Sequence, residues 1–329
     1  MILQLVKWIV VKLLRFALLL TVLSILTFLL ITMSPIDPIQ AYIGADTLRV
    51  GPEQREEIAE YWGLNEPPMQ RFFHWASAFL GGDMGTSMIY REPVSSVIGE
   101  RFMHSFFLMA AAWILSGLIG FILGVTAAMH LGKWPDRIIS WYCYTTAATP
   151  TFWMGLLLLV VFAVWLGWLP IGLAVPAGLL SSDVTLLDRL IHMILPVATL
   201  TLIFLAPTAM HTREKLADVL ASDYILFAKA RGECGMTLVW RHGLRNIALP
   251  ALTLQFTSFS ELFGGAVLAE QVFSYPGLGQ AAVEAGLRGD VPLLIGIVLC
   301  SAVFVFVGNM MADFLYKLID PRIRKEGVY

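Results

Sequence analysis

Few residues in this chain could do chemistry, and the clearest of them is a carboxylate in the wrong solvent. Glu261 lies inside "SFSELFGGAVLAEQ", in the middle of a long apolar stretch. Ionised acids cost about 2.5–3.5 kcal/mol to insert at the centre of a bilayer, so such a group must face protein or water. Two roles fit it: a protonated acid hydrogen-bonded between helices, or a pathway carboxylate that meets a cationic group on a passing solute. His104, His130, His192, His211 and His242 show neither HExxH nor CxxH spacing, and structural imidazoles are the plain reading. Cys143, Cys234 and Cys300 form no CxxC pair, so neither a disulfide nor a structural zinc is expected. No GxxxxGK[ST] phosphate loop occurs, and no nucleophile and base stand at usable spacing. The chain is therefore not expected to be an enzyme or to hold a cofactor or metal itself.

The elements that must position Glu261 are membrane helices. Apolar residues make up 58% of the 329 positions and mean hydropathy is +0.75, more than a water-soluble core requires. The first uncharged run, 16–36, covers about 30 Å of hydrocarbon and ends at "SPIDP" with no small-residue cleavage site, so it is expected to be a retained anchor. Further spans are predicted over 102–132, 138–182, 190–212, 247–272 and 291–318. The third is expected as one long helix kinked near Pro150. The organisation predicted is thus 1–36, an N-terminal end and first span; 37–101, a polar external segment; and 102–329, a core of five spans.

Six crossings put both termini on one side, and the distribution of cations selects it. With the ends in the cytoplasm, all seven lysines lie inside, while the seven external arginines fall mostly in the long 37–101 segment, where acids outnumber them. The same orientation places the basic insert 213–246 in the cytoplasm. Within it, "DYILFAKARGECGMTLVWRHGLRN" reads as helix, turn, helix: Tyr224, Phe227, Ala228 and Arg231 share a face at i, i+3, i+4, i+7, and Gly232 and Gly235 break the chain before a second basic helix. Such a hairpin either lies on anionic headgroups or docks into a soluble partner.

The insert resembles the EAA loop of ATP-binding-cassette importer permeases of the dipeptide/oligopeptide/nickel family. The likeness runs along the chain through "LTFLLITMSPIDP", "GDMGTSM" with "EPV", "PTFWMGLLL", "HMILPVATL", "AEQVFSYPGLG" and "DPRIR". Ile36, Arg231 in "ARG" and Tyr275 depart from the family's usual residues, and Arg for Lys at a docking face alters the pairing available there.

The resemblance implies an all-α polytopic type I importer domain in a bacterial inner membrane. It implies a first loop helix that carries ATPase motion to the spans, formed by Asp223, Tyr224, Phe227, Ala228, Ala230, Arg231 and Gly232. Arg241, Arg245 and Asn246 would brace the return to the membrane. The partners implied are a second homologous permease, two ATPase subunits that bind the ATP and magnesium, an extracytoplasmic solute-binding protein and the surrounding lipid, with no nucleic acid. Glu261, Gly264 and Gly265 are the pathway candidates, with close packing the expected role of the two glycines. Glu270, Pro276, Gly277 and Gly279 are assigned by resemblance to a turn at the binding-protein docking surface. Asp313 is expected to pair with Lys317 one turn on. The cargo implied is a di- or oligopeptide, with nickel or a metal chelate as the alternative.

Overall fold

The computed structural model describes residues 2–35, 37–43, 50–176, 178 and 183–319, and among them every regular element is a helix. "DPRIR" and the side chains of Arg245, Asp313 and Lys317 lie outside the described residues. In chain order the helices are α1 (Ile2–Thr32), α2 (Pro38–Ile43), α3 (Pro52–Tyr61), α4 (Pro68–Leu80), α5 (Val94–Met129), α6 (Trp134–Ala147), α7 (Thr151–Leu158), α8 (Leu186–Leu220), α9 (Asp223–Ala230), α10 (Gly235–Leu238), α11 (Leu244–Thr257), α12 (Phe259–Val272), α13 (Leu278–Arg288) and α14 (Val291–Ile319). A wider π turn, Leu159–Trp165, prolongs α7, and another, Val239–Gly243, joins α10 to α11.

Among the described residues four stretches are long and apolar enough to cross a bilayer: Val10–Thr32, Val94–Met129, Leu186–Leu220 and Val291–Ala312. They correspond to predicted spans one, two, four and six, so the chain is a multi-pass membrane protein. The third span differs from expectation. Trp134–Ala147 and Thr151–Trp165 meet at a bend of 110°, far beyond a kink. Pro150 supplies no amide hydrogen and pushes Thr149 out of helical geometry, so the ladder stops there and a new helix begins.

The fifth span is also divided, into α11 and α12 of fourteen residues each. Each rises only about 21 Å, less than the hydrocarbon thickness. The cause lies at its centre. Thr257 Oγ1 donates to the Leu254 carbonyl, and Ser258 Oγ donates to the Gln255 carbonyl, which also accepts from the Trp113 indole. The Leu254 carbonyl keeps its bond from the Ser258 amide, but the Gln255 carbonyl, which the Phe259 amide would use in an unbroken helix, is taken by side chains.

The chain forms two compact units, 1–104 with 277–306 and 105–276 with 307–329. In the first, Phe28 of α1, Phe72, Trp75 and Phe79 of α4, and Val291, Ile295 and Leu299 of α14 form one apolar cluster. Val94, Val97 and Ile98 pack with α13 and α14 in another. A buried polar clamp holds the polar segment: Ser87 Oγ and the Ile89 amide donate to Asp290 Oδ2, and the Leu293 amide donates to Oδ1.

In the second unit α5 approaches α8 backbone to backbone. A Cβ on Gly120 would stand 2.7 Å from the Leu205 carbonyl oxygen, and one on Gly124 would stand 2.5 Å from that of Ala209. Only glycine permits that approach. Thr185 and Asp188 start α8 with reciprocal side-chain caps, and Pro196 and Pro207 are carried inside it without a break.

Candidate functional site

The polar insert folds as a compact hairpin. Ser222 precedes α9, and Gly232 and Gly235 take left-handed backbone angles, φ +89° and +63°, that turn the chain into α10. Ile225 and Ala228 are buried against Leu238, over Val219 and Leu220 at the end of α8. Tyr224, Leu226, Phe227, Met236 and Trp240 are exposed, with Asp223, Lys229, Ala230, Arg231 and Arg241 around them.

This corrects the predicted face. Tyr224, Phe227 and Arg231 do point outward, but Ala228 belongs to the inner side with Ile225. Its 40° offset from Tyr224 toward Ile225 is enough for the small methyl to seat against Leu238. Apolar groups ringed by cations on an outward surface mark an interaction site.

Two sets of bonds stiffen the hairpin. Asn246 Nδ2 donates to Tyr224 Oη at 2.9 Å and to the His242 carbonyl at 3.0 Å. Glu233 takes His242 Nε2 at 2.9 Å and Arg241 at 3.5 Å. The hydrogen bond from His242 holds the Glu233 carboxyl below the usual range. Asn246 and Arg241 thus bond within the hairpin, to Tyr224 and to Glu233, and Ile225, Glu233 and His242 are parts of it that the sequence did not single out. From Gly235 through the π turn to Thr257 the chain is helical without interruption, so the second arm of the hairpin runs directly into α11. Asp136 receives a two-pronged bond from Arg213, whose Nη2 lies 2.9 Å from Oδ2, and this ties α6 to the C-terminal part of α8.

Glu261 stands in the first turn of α12 and is exposed, not enclosed between helices. Gly264 and Leu268 lie on the same exposed face. The expected close packing holds for Gly265 alone, whose Cβ would stand 2.7 Å from the Phe204 ring; nothing lies within 4 Å of one on Gly264. The difference is one of helix face: a 100° rotation carries Gly265 onto α8 and leaves Gly264 beside Glu261.

The turn after α12 also departs from its assignment. Glu270 is 1% exposed and accepts from Ser105 Oγ at 2.5 Å. Gly277 and Gly279 are buried and Pro276 half-buried, so of this set only Pro276 offers surface to a partner. The carboxylate serves α5 instead, an interaction across 165 residues that no local motif signals. Next to it, the Leu173 amide donates to the Phe273 carbonyl, and His192 Nδ1 donates to the Gly172 carbonyl at 2.7 Å. Leu173 and Ser274 both hold positive φ, +67° and +47°, a strain that concentrates where two loops are held together.

Comparisons with known proteins identify the family. The family model described as "Binding-protein-dependent transport system inner membrane component" matches residues 120–325, and its N-terminal companion matches 5–108. The chain is 35% identical over 301 residues to the oligopeptide transport system permease protein AppB of Bacillus subtilis, covering 91% of this chain and 93% of that one. It is 35% identical over 308 residues to the glutathione transport system permease protein GsiC of Escherichia coli K12, covering 92% and 94%. Among solved structures, a chain of the inward-facing MetNI methionine ABC transporter superposes with a TM-score of 0.54 at 15% identity, covering 69% of this chain and 97% of that chain. The shared fold is that of a type I importer's membrane domain. The helices, the braced hairpin and these matches together show that the chain belongs to the family of binding-protein-dependent transport system inner membrane components.

Proposed function

We propose that this chain is one permease subunit of an ATP-driven importer of di- or oligopeptides and that it works by alternating access. The observation that carries the reading is the braced hairpin continuous with α11. A partner that grips Tyr224, Phe227 and Arg231 pulls, through the bond between Tyr224 and Asn246, on the helical stretch that runs from Gly235 to the break beside Ser258. Displacement at the hairpin is thereby delivered to α12 and to Glu261.

In this reading two ATPase subunits hold the hairpins of this chain and of a second, homologous permease. ATP binding draws the hairpins together and opens the path outward, cargo enters from a solute-binding protein, and hydrolysis restores the inward-open form. This chain contributes no bond-breaking step. Glu261 and the open face of Gly264 line the path, where a carboxylate suits the ammonium end of a peptide. The names of AppB and GsiC support a peptide-type cargo, and nickel draws no support from them.

Uptake of a labelled peptide tests the proposal. It should vanish when the phosphate-loop lysine of the partner ATPase is replaced, and it should survive collapse of the proton gradient. Uptake that follows the proton gradient and ignores the ATPase would contradict it.

A further inference from the structure

The polar segment 37–101 carries, among its described residues, a helix with two apolar faces. Pro67 and Pro68 open α4, and Gly81 closes it ahead of Gly82, whose φ of +91° turns the chain away. Its 13 residues rise about 20 Å, too short to cross a bilayer. Phe72, Trp75 and Phe79 form one face and pack with Phe28 of α1 and Val291, Ile295 and Leu299 of α14. At about 100° per residue, Met69, Phe73, Ala76 and Leu80 line up as a second apolar stripe next to that face. Gln70, His74 and Ser77 make a polar strip on the stripe's other side, and all three are exposed. Met69, Phe73 and Leu80 are 68%, 63% and 87% exposed, and no charged residue interrupts the stripe.

The packed face sets the depth of the helix. Phe28 stands about 6 Å inside the end of the span Val10–Thr32, and Ile295 and Leu299 stand about 6 and 12 Å inside the start of the span Val291–Ala312. The rings of Phe72 and Phe28 meet with their centres 5.2 Å apart. The helix is therefore seated at the edge of the hydrocarbon and not in the water beyond it. The adjoining end of α1 exposes Leu26, Leu29, Leu30 and Met33, an uncharged surface suited to acyl chains, and the stripe of α4 continues it. A short helix that segregates an apolar stripe from a polar strip, held at this depth, has the pattern of one lying in the plane of a membrane interface.

We propose that α4 lies along the bilayer surface on the side of the 37–101 segment, with Met69, Phe73, Ala76 and Leu80 among the acyl chains of that leaflet and Gln70, His74 and Ser77 turned to the headgroups and water. Its partner on that stripe is lipid. One face grips the ends of α1 and α14 and the next grips the leaflet, so those span ends keep a fixed depth. This inference is independent of the cargo and of the ATPase.

The test is labelling of the unaltered full chain, in vesicles of phosphatidylethanolamine and phosphatidylglycerol, with a photoactivated carbene precursor that partitions into acyl chains, read residue by residue by mass spectrometry. Met69, Phe73 and Leu80 should be modified as heavily as Leu26 and Leu30 of α1 and severalfold more than Gln70 and Ser77. A stripe modified no more than Gln70 and Ser77 overturns the proposal. So does labelling that is lost from the stripe, and kept at Leu30, once a second permease and a solute-binding protein are added, which would make the stripe a protein interface. Nitroxides at Phe73→Cys and Ser77→Cys, in a chain whose three native cysteines are replaced by alanine, give a second reading. Oxygen, concentrated in the hydrocarbon, should relax the first more than a water-soluble nickel chelate does, and the order should reverse at the second. The same order at both positions contradicts the orientation. The carbene measurement needs no substitution, so a misfolded variant does not blunt the test.

Discussion

Thr208 donates its hydroxyl to Gln255 Oε1 at 2.8 Å, joining α8 to α11 at the point where the fifth membrane segment is about to break. The same amide's Nε2 donates to the Trp113 carbonyl at 2.7 Å and to Ser116 Oγ at 3.2 Å, and the Trp113 indole returns a bond to the Gln255 carbonyl at 2.9 Å. Gln255 is 5% exposed, and Gly117 leaves the space that its amide occupies. One side chain thus uses donor and acceptor capacity alike to bind three helices, in surroundings where an unmet polar group is expensive. Gln255→Leu removes the acceptor for Thr208 and two bonds besides, while the bond from the Trp113 indole to the backbone carbonyl remains. It should lower stability by about 1–2 kcal/mol, read as a fall in the thermal midpoint of the purified chain in detergent. An unchanged midpoint would mean that the network does not hold the helices.

Glycines that look alike in sequence should separate by experiment. Gly124→Ala brings a methyl within 2.5 Å of the Ala209 carbonyl and 2.6 Å of Thr208's neighbour one turn on, Thr212, so α5 must move away from α8. Overpacking of this kind costs about 1–3 kcal/mol. Gly264→Ala meets nothing within 4 Å and should leave stability unchanged. Equal midpoints for the two variants would refute the close approach described for α5 and α8.

Glu261 should matter to flux and not to assembly. Glu261→Gln keeps the shape of an exposed side chain and removes its charge, so membrane insertion and complex formation should be normal while peptide uptake falls about tenfold, the worth of one lost charge pair in a shielded path. Uptake kinetics identical to those of the unaltered chain would take the residue out of the pathway.

Asp290 sets a pH dependence of known sign. Burial raises its carboxyl pKa, and the donors Ser87, Ile89 and Leu293 lower it by less. For an acid whose folded pKa lies above the unfolded value, the stabilisation is complete below the unfolded value of 3.8 and is lost as pH rises through the folded one. Mild acidification from neutral pH should therefore stabilise the clamp of the first unit. Asp290→Asn should abolish that dependence and, by removing one acceptor oxygen, lower the midpoint near neutrality. A pH profile unaltered by the substitution would place the titration elsewhere.

What the sequence made legible, and what it did not, follows from the range over which each signal acts. Spans one, two, four and six could be located because hydropathy is a property of consecutive residues, and the hairpin because Gly232, Gly235 and a run of cations announce it locally. Pro150 marked where the third span is interrupted, but the 110° angle depends on what the two halves pack against. The break at Ser258 needs the Trp113 indole, which arrives from another helix. Glu270 was placed at a docking turn by resemblance alone, and nothing in the sequence signalled its burial because its partner, Ser105, is remote along the chain. Ala228 was assigned outward because the residue that covers it, Leu238, lies beyond the turn.

The most direct measurement of the central claim, that the 213–246 hairpin faces the cytoplasm and is held there by a partner ATPase, uses the exposed Cys234. A thiol reagent too large and charged to cross the bilayer should leave Cys234 unmodified in intact cells. It should modify Cys234 in inside-out vesicles and should do so more slowly once the partner ATPase is bound. Modification of Cys234 in intact cells would contradict the orientation and, with it, the whole account of coupling.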